Sequence, residues 1–252
     1  MDEAPRRVVV LHGFTQTHHH VLGFAHLLAR RLDERAPQPT TLVLPDLPGH
    51  GLSAQDPDGI DAAADALVPV TAGAIVVGYS MGGRVALHTA LAPGSSIERL
   101  VLIGATAGIE DDGERAERCR LDAARADHVE QVGVDRFVEE WLQSPLFATL
   151  PDGAAGIAHR RRNTAAGLAH SLRTSGTGAQ RSRWDEVGDI DVPVLVIAGE
   201  LDAKFTALGR RLAAAVPDGT FVSIEGAGHA AQTERPGAVA TAIADWITST
   251  TT

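Results

Sequence analysis

The chain is poor in cysteine, lysine and long apolar runs, and each shortage closes off a class of protein. Cys119 is the only cysteine in 252 residues, so no intrachain disulfide can form, which is compatible with a reducing compartment. Lys204 is the only lysine, so the positive charge is carried almost entirely by arginine. A codon bias of the source genome accounts for that preference in general, but not for where particular arginines fall. No apolar stretch is long enough to cross a bilayer. The opening Met1 to Arg7 leads into a strand-like run at 8–11, too short for a signal-peptide core and followed by no cleavage site, so a soluble cytoplasmic protein is expected. With a formal net charge of −10, there is no general electrostatic case for nucleic acid or an anionic membrane as partner. What is present, 44% apolar and 21% charged residues, suits one α/β domain with a sizeable core, or a core with an insertion.

Short β-branched runs at 8–11, 41–44, 74–77, 100–103, 192–198 and 220–224 each end in Gly, Asp or Ser. Their near-continuous apolar character predicts strands buried on both faces. Helix-like stretches at 20–32, 60–67, 83–91, 208–216 and 236–247 alternate with them, which predicts a doubly wound, mostly parallel α/β sheet. The alternation stops between about 107 and 189. Candidate helices at 112–126, 134–143, 153–162 and 164–173 suggest a helical cap there, inserted into a core of residues 1–106 and 190–252. In such sheets functional groups gather past the carboxyl ends of the strands.

Gly78-Tyr79-Ser80-Met81-Gly82-Gly83 follows one apolar run and precedes a helix, the strand–turn–helix setting of a nucleophile elbow. Its glycines permit a sharp turn that lifts the Ser80 hydroxyl above the sheet. A serine needs an imidazole to take its proton, and an acid to orient the imidazole. The fifth run ends in Gly199-Glu200-Leu201-Asp202, and the sixth in Glu225-Gly226-Ala227-Gly228-His229. Ser80, Asp202 and His229 then occur in the chain order of an α/β-hydrolase triad, with Glu200 as the rival acid. Leu11-His12-Gly13-Phe14 resembles the segment that supplies one oxyanion donor; the backbone N–H groups of Phe14 and Met81 are the candidate pair. His12 is read as structural, as is the strand-end turn Asp46-Leu47-Pro48-Gly49-His50-Gly51. His18-His19-His20 is read against a metal site, because adjacent histidines on one loop rarely converge and no carboxylate or cysteine spacing supports them. No metal or cofactor is expected.

A narrower resemblance rests on four places: Gly78 to Arg84, Glu114 to Arg118, the cap segment Asn163 to Trp184 with Gly176-Thr177-Gly178-Ala179-Gln180, and Gly199 to Phe205. There the chain resembles the 2-succinyl-6-hydroxy-2,4-cyclohexadiene-1-carboxylate synthases, lyases of menaquinone biosynthesis in the α/β-hydrolase superfamily. The resemblance implies a small substrate with three carboxylates. It also implies that the histidine-activated serine abstracts a proton from carbon and pyruvate leaves, without an acyl-enzyme. Arg84, one helical turn after Ser80, is suited on its own geometry to meet an anion at the site mouth. By resemblance Arg118 and Arg160 are further carboxylate contacts, the register of Arg160-Arg161-Arg162 staying open, and Tyr79 and Trp141 are pocket aromatics. Trp141 reads equally well as cap core. The segment 162–167 is poorer in asparagine than the family pattern, which bears on cap-side contacts and not on the triad. A carboxylesterase or carbon–carbon bond hydrolase with the same three residues is the alternative. A non-catalytic receptor on the same fold is the binding-module reading. An Asp-nucleophile dehalogenase or epoxide hydrolase is disfavoured by Ser80.

Overall fold

The computed structural model describes residues 5–36, 38–53 and 57–249; the opening residues 1–4, the start of the polar turn at 56–59 and the end of the threonine tail lie outside them. Six strands form one sheet: β1 (Arg6–Leu11), β2 (Thr40–Val43), β3 (Ile75–Tyr79), β4 (Arg99–Ile103), β5 (Val194–Gly199) and β6 (Gly219–Ile224). Every neighbouring pair is parallel, in the order β2-β1-β3-β4-β5-β6. β5 begins two residues later than the apolar run suggests, just past Pro193, which has no N–H to give a ladder.

The helices in chain order are α1 (His18–Arg35), α2 (Gly59–Thr71), α3 (Met81–Leu91), α4 (Asp112–Leu142), α5 (Ile157–Arg160), α6 (Ala165–Ser175), α7 (Ala203–Ala215), α8 (Ala231–Glu234) and α9 (Pro236–Ser249). Strand side chains alternate strictly between two cores, as a two-residue period requires. Val9, Leu11, Val76, Leu100, Leu102 and Val196 pack with α2, α3 and α7 on one face. Val8, Val10, Ile75, Val77, Val101, Ile103, Leu195 and Ile197 pack with α1 and α9 on the other. Each such fully buried aliphatic stabilises the fold by roughly 1.5–3 kcal/mol relative to exposure. The connections leave β1 toward β2 on one side and β3 on the other. The switch point of the sheet therefore lies between the carboxyl ends of β1 and β3, where a doubly wound sheet opens a crevice.

Between β4 and β5 the chain forms α4, α5 and α6 with two short 3-10 turns, and no strand among the described residues. These helices bury a third, smaller cluster of Ala126, Val129, Phe137, Leu168, Ala169 and Leu172. Three details differ from the sequence expectation. The two helices expected at 112–126 and 134–143 run on as one element, broken only at Gly133, whose φ of 79° and ψ of 168° are non-helical. The helix expected over 153–162 shrinks to α5, because Gly153 and Gly156 adopt φ of 77° and 61° and interrupt the ladder. α1 begins at His18, where Thr17 is the N-cap and its N–H donates to His20 Nδ1 at 3.0 Å, the return bond of a capping box. Among the described residues no helix is long and apolar enough to cross a membrane.

Candidate active site

Ser80 sits between β3 and α3 with φ 51° and ψ −108°, one of two non-glycine residues with positive φ among those described. Such a conformation costs of order 1–3 kcal/mol and survives only where the surroundings over-determine it. Here they do. Ser80 N–H donates to Ile103 O at 2.8 Å, and Arg84 N–H returns to Ser80 O at 3.0 Å. A side chain at Gly82 would run into the backbone oxygens of Leu11 and His12. One at Gly83 would stand 2.6 Å from the Ala105 methyl. The elbow glycines thus admit the close approach of α3 to β1 and β4.

Asp202 and His229 lie past the carboxyl ends of β5 and β6. Gly199 lets those two loops touch, since a Cβ there would collide with the carbonyls of Ala227 and Gly228. Asp202 is the N-cap of α7: its Oδ1 accepts from Phe205 N–H at 3.2 Å, while its Oδ2 accepts from His229 Nδ1 at 2.8 Å. With that proton on Nδ1, Nε2 is the acceptor facing Ser80 Oγ at 3.1 Å. The imidazole is buried, packed by Phe205 at 4.6 Å and Tyr79 at 5.5 Å between ring centroids. Glu200, the rival acid, does not reach the imidazole; it accepts from Gly226 N–H at 3.0 Å and braces the histidine loop.

The loop after β1 is held by side chains from three segments: the loop itself, the turn at 46–51 and the cap residues 160–163. His12 donates from Nδ1 to Gly13 O (2.9 Å) and accepts from Leu47 N–H (3.0 Å). Gln16 accepts from Gly13 N–H, and His50 from Thr15 N–H. Asn163 donates to Thr15 O at 2.7 Å, and Arg160 to Phe14 O and the Thr15 hydroxyl. Thr15 is the second residue with positive φ, at 64°. Burial pushes His12 down to about 4 and His50 to about 3, so both act as neutral donor–acceptor rings. Among the described residues the N–H groups of Phe14 and Met81, on the two sides of the switch-point crevice, have no internal acceptor.

A cavity of about 570 Å³ opens over Ser80 and His229, walled by Arg84, Arg118, Trp141, Trp184 and Lys204 among others. A side pocket of about 40 Å³ continues past Arg84, Arg118 and Trp141 to Phe14 and Met81. Arg84 is buried. It donates to Ser175 O (2.9 Å) and Gln180 Oε1 (3.3 Å), and burial followed by the neighbouring Arg118 charge lowers it to about 10. Gln180 is turned the right way by His88. Asp61 takes His88 Nδ1–H at 2.7 Å, leaving Nε2 to accept the Gln180 amide at 3.2 Å, so Oε1 faces the guanidinium. Arg118 donates to the buried Asp122 at 2.8 Å. Trp141 packs edge-on against Phe14 at 5.3 Å, and its buried Nε1 has no partner among the described residues. Tyr79 is buried under the loop after β1, its ring where a Gly13 side chain would be, and burial raises its hydroxyl well above the usual range.

Seven of the ten residues chosen from the sequence thus line the cavity or its side pocket, and Asp202 and Tyr79 stand behind them against His229. Arg160 stands apart from the cavity wall: it is buried behind the loop after β1, with its N–H groups on Ala155 O, Phe14 O and Thr15. The three histidines take separate partners: His18 bonds Asp46 with its ring 4.0 Å from that of His19, His19 also stacks on His159, and His20 caps α1. Sequence reasoning missed Glu234, which accepts from the N–H groups of both Gly228 and Ala230, and the part of Gln180. Gln180 lay inside a motif already singled out; nothing near Glu234 distinguished it from a surface acid.

Residues 8–242 match the alpha/beta hydrolase family. The 2-succinyl-6-hydroxy-2,4-cyclohexadiene-1-carboxylate synthase of Klebsiella pneumoniae subsp. pneumoniae is 31% identical over 250 residues, covering 96% of this chain and 94% of that one. A putative enzyme of the same name from Bacillus subtilis is 35% identical over 179 residues, 69% of this chain and 65% of its own. Among solved structures, MenH from S. aureus superposes with a TM-score of 0.88 at 28% identity, covering 98% of this chain and 95% of that chain. A hydrolase from Pseudomonas aeruginosa, at 20% identity and TM-score 0.76 over 96% and 90% of the two chains, shares the fold. The chain belongs to the alpha/beta hydrolase family and, within it, to the 2-succinyl-6-hydroxy-2,4-cyclohexadiene-1-carboxylate synthases, a family of enzymes.

Proposed function

We propose that the chain is a lyase of menaquinone biosynthesis, acting in the cytoplasm, that eliminates pyruvate from 2-succinyl-5-enolpyruvyl-6-hydroxy-3-cyclohexene-1-carboxylate. The observation that carries this reading is the shared cavity: two arginines, Arg84 and Arg118, wall the space into which Ser80 and His229 face. An apolar ester would leave Arg84, which meets only the neutral Ser175 and Gln180 oxygens, without an anion, while Arg118, paired with Asp122, keeps further N–H donors to offer. Lys204, on the same wall and in no ion pair among the described residues, supplies a third cation. Arg211 is already matched by Glu110. Trp141 offers its unpartnered N–H, and Tyr79 packs behind His229. Arg160 acts one step back, by holding the Phe14 loop.

In this mechanism His229, oriented by Asp202, takes the Ser80 proton as Ser80 Oγ removes the proton from the ring carbon that bears the succinyl ketone. The resulting charge spreads onto the ketone oxygen, which the Phe14 and Met81 N–H groups receive. The electron pair moves through the ring alkene, converting the 3-ene to a 2,4-diene, and breaks the carbon–oxygen bond to the enolpyruvyl group. The proton held by His229 accompanies the leaving group, which becomes pyruvate. No oxidation or reduction occurs overall, so the chemistry calls for no cofactor. The partner is a small polycarboxylate, in keeping with a net charge of −10 that disfavours nucleic acid and anionic membranes.

The same hydrogen-bonded chain and N–H pair would serve acyl transfer, so a carboxylesterase or carbon–carbon bond hydrolase is the competing reading. Purified protein incubated with the enzymatically generated precursor is expected to release pyruvate. No release, together with fast turnover of neutral aryl esters, would overturn the lyase in favour of the esterase.

A further inference from the structure

Ser80 is held by an elbow and Asp202 by a helix cap, but His229 stands on a loop, 225–230, that contains two glycines. Glycine-rich backbone has the most freedom to lose on ordering, so a histidine there stays within hydrogen-bond reach of two partners only if the loop is gripped. Part of the grip comes from the loop after β5: Glu200 accepts from Gly226 N–H, and Leu201 N–H donates to Ala227 O at 2.9 Å. The rest comes from one side chain. Glu234, at the end of α8 and only 6% exposed, accepts from Gly228 N–H through Oε2 at 2.7 Å and from Ala230 N–H through Oε1 at 3.0 Å. Those are the two amides on either side of His229.

We infer that Glu234 is a positioning residue for His229: its carboxylate clamps the backbone before and after the histidine and so holds the imidazole between Asp202 and Ser80. Only a carboxylate suits the place. Ionised, it has an acceptor on each oxygen; a carboxamide of the same shape keeps one acceptor and turns an NH₂ group toward the second backbone N–H. The opposite side of the loop has no slack, since a side chain at Gly228 would run into the Thr149 hydroxyl of the segment between α4 and α5. A displacement of the order of 1 Å at a reacting group costs about 10²-fold in rate.

The inference rests on the reading of His229 as the base, and its test separates the two. In Glu234→Gln, kcat for pyruvate release should fall about 10–100-fold with KM within about twofold. The low-field proton resonance of His229 Nδ1–H should broaden or move. In the unaltered protein, the amides of Gly228 and Ala230 should be strongly protected from hydrogen exchange. An unchanged kcat and resonance in Glu234→Gln would overturn the clamp. So would fast exchange of those two amides, a measurement that stands even if the variant does not fold. If the unaltered protein releases no pyruvate, the lyase reading fails while the exchange and resonance data still decide the clamp.

Discussion

Around Ser80, every group meets partners whose positions are set by the sheet; around Arg118, the partners are a turn of the same helix and one loop. On the sheet side Ser80, His229 and Asp202 come from the ends of β3, β6 and β5; Ser80 and Asp202 each make a further bond to backbone, and the amides either side of His229 are held by Glu234. On the cap side Arg118 leans on Asp122 four residues along α4, and that carboxylate is shared with Arg125 and Gly178 N–H. Arg84 lies between the two: it is rooted in α3 but steered by Ser175 and Gln180 from the cap. The contrast matches a division of labour. Bond-making geometry tolerates little error, whereas binding a carboxylate from a side chain at the cavity wall tolerates more.

The largest break in that comparison is Ser80→Ala or His229→Ala, each expected to lower kcat for pyruvate release by about 10³-fold or more with the fold intact, as circular dichroism and single-turnover assays would check. Arg84→Ala comes next. It should raise KM for the polycarboxylate by about 10²-fold and change turnover of a neutral aryl ester several-fold less. Equal losses on both substrates would remove its carboxylate-binding part. Arg160→Ala should show the opposite pattern, lowering kcat about tenfold on both substrates because the Phe14 loop loses its brace.

Acid should act on the sheet side first. His12 and His50 have native values of about 4 and about 3 against 6.5 in the unfolded chain, so below about pH 6.5 the unfolded state binds more protons. Stability is full above that value and declines as pH falls through the window toward 4 and 3. Chemical denaturation midpoints across pH 4–8 check this, and a His50→Asn variant should flatten the curve. The smallest effect is Gly133→Ala at the break in α4. No atom lies within 4 Å of the added methyl, so only the positive φ opposes it. Because φ 79° with ψ 168° is essentially a glycine-only region, a cost of roughly 1–3 kcal/mol, read as a fall in Tm with kcat unchanged, is expected.

The sheet side was also the more legible half. A buried parallel strand declares itself by an unbroken β-branched run, and a strand-end motif such as Gly78 to Gly83 carries its own structural context. Ser80, Asp202 and His229 could therefore be placed from local pattern and chain order. Asp202 was preferred over Glu200 for its place deeper in the loop, and packing adds the physical reason: Asp202 caps α7 beside the imidazole while Glu200 is taken up by Gly226 N–H. The cap was legible as helical but not in its breaks, since Gly133 could as well have continued a helix and Gly156 gave no sign of its 61° φ. Glu234 and Arg160 show the same limit from two directions. An acid that looked like surface is buried on two amides, and an arginine that looked like a substrate contact is occupied by backbone.

By itself, the sequence determined the layered α/β fold, the strand ends that carry chemistry, and the three residues proposed for it. Those features rest on hydrophobic period, glycine spacing and chain order, which are properties of neighbours along the chain. Tertiary structure alone decided which arginine turns away from the cavity and which glutamate grips the histidine loop. Those outcomes depend on donors and acceptors meeting across distant segments, where each buried polar group must find a partner and the pairing, not the residue type, assigns the role.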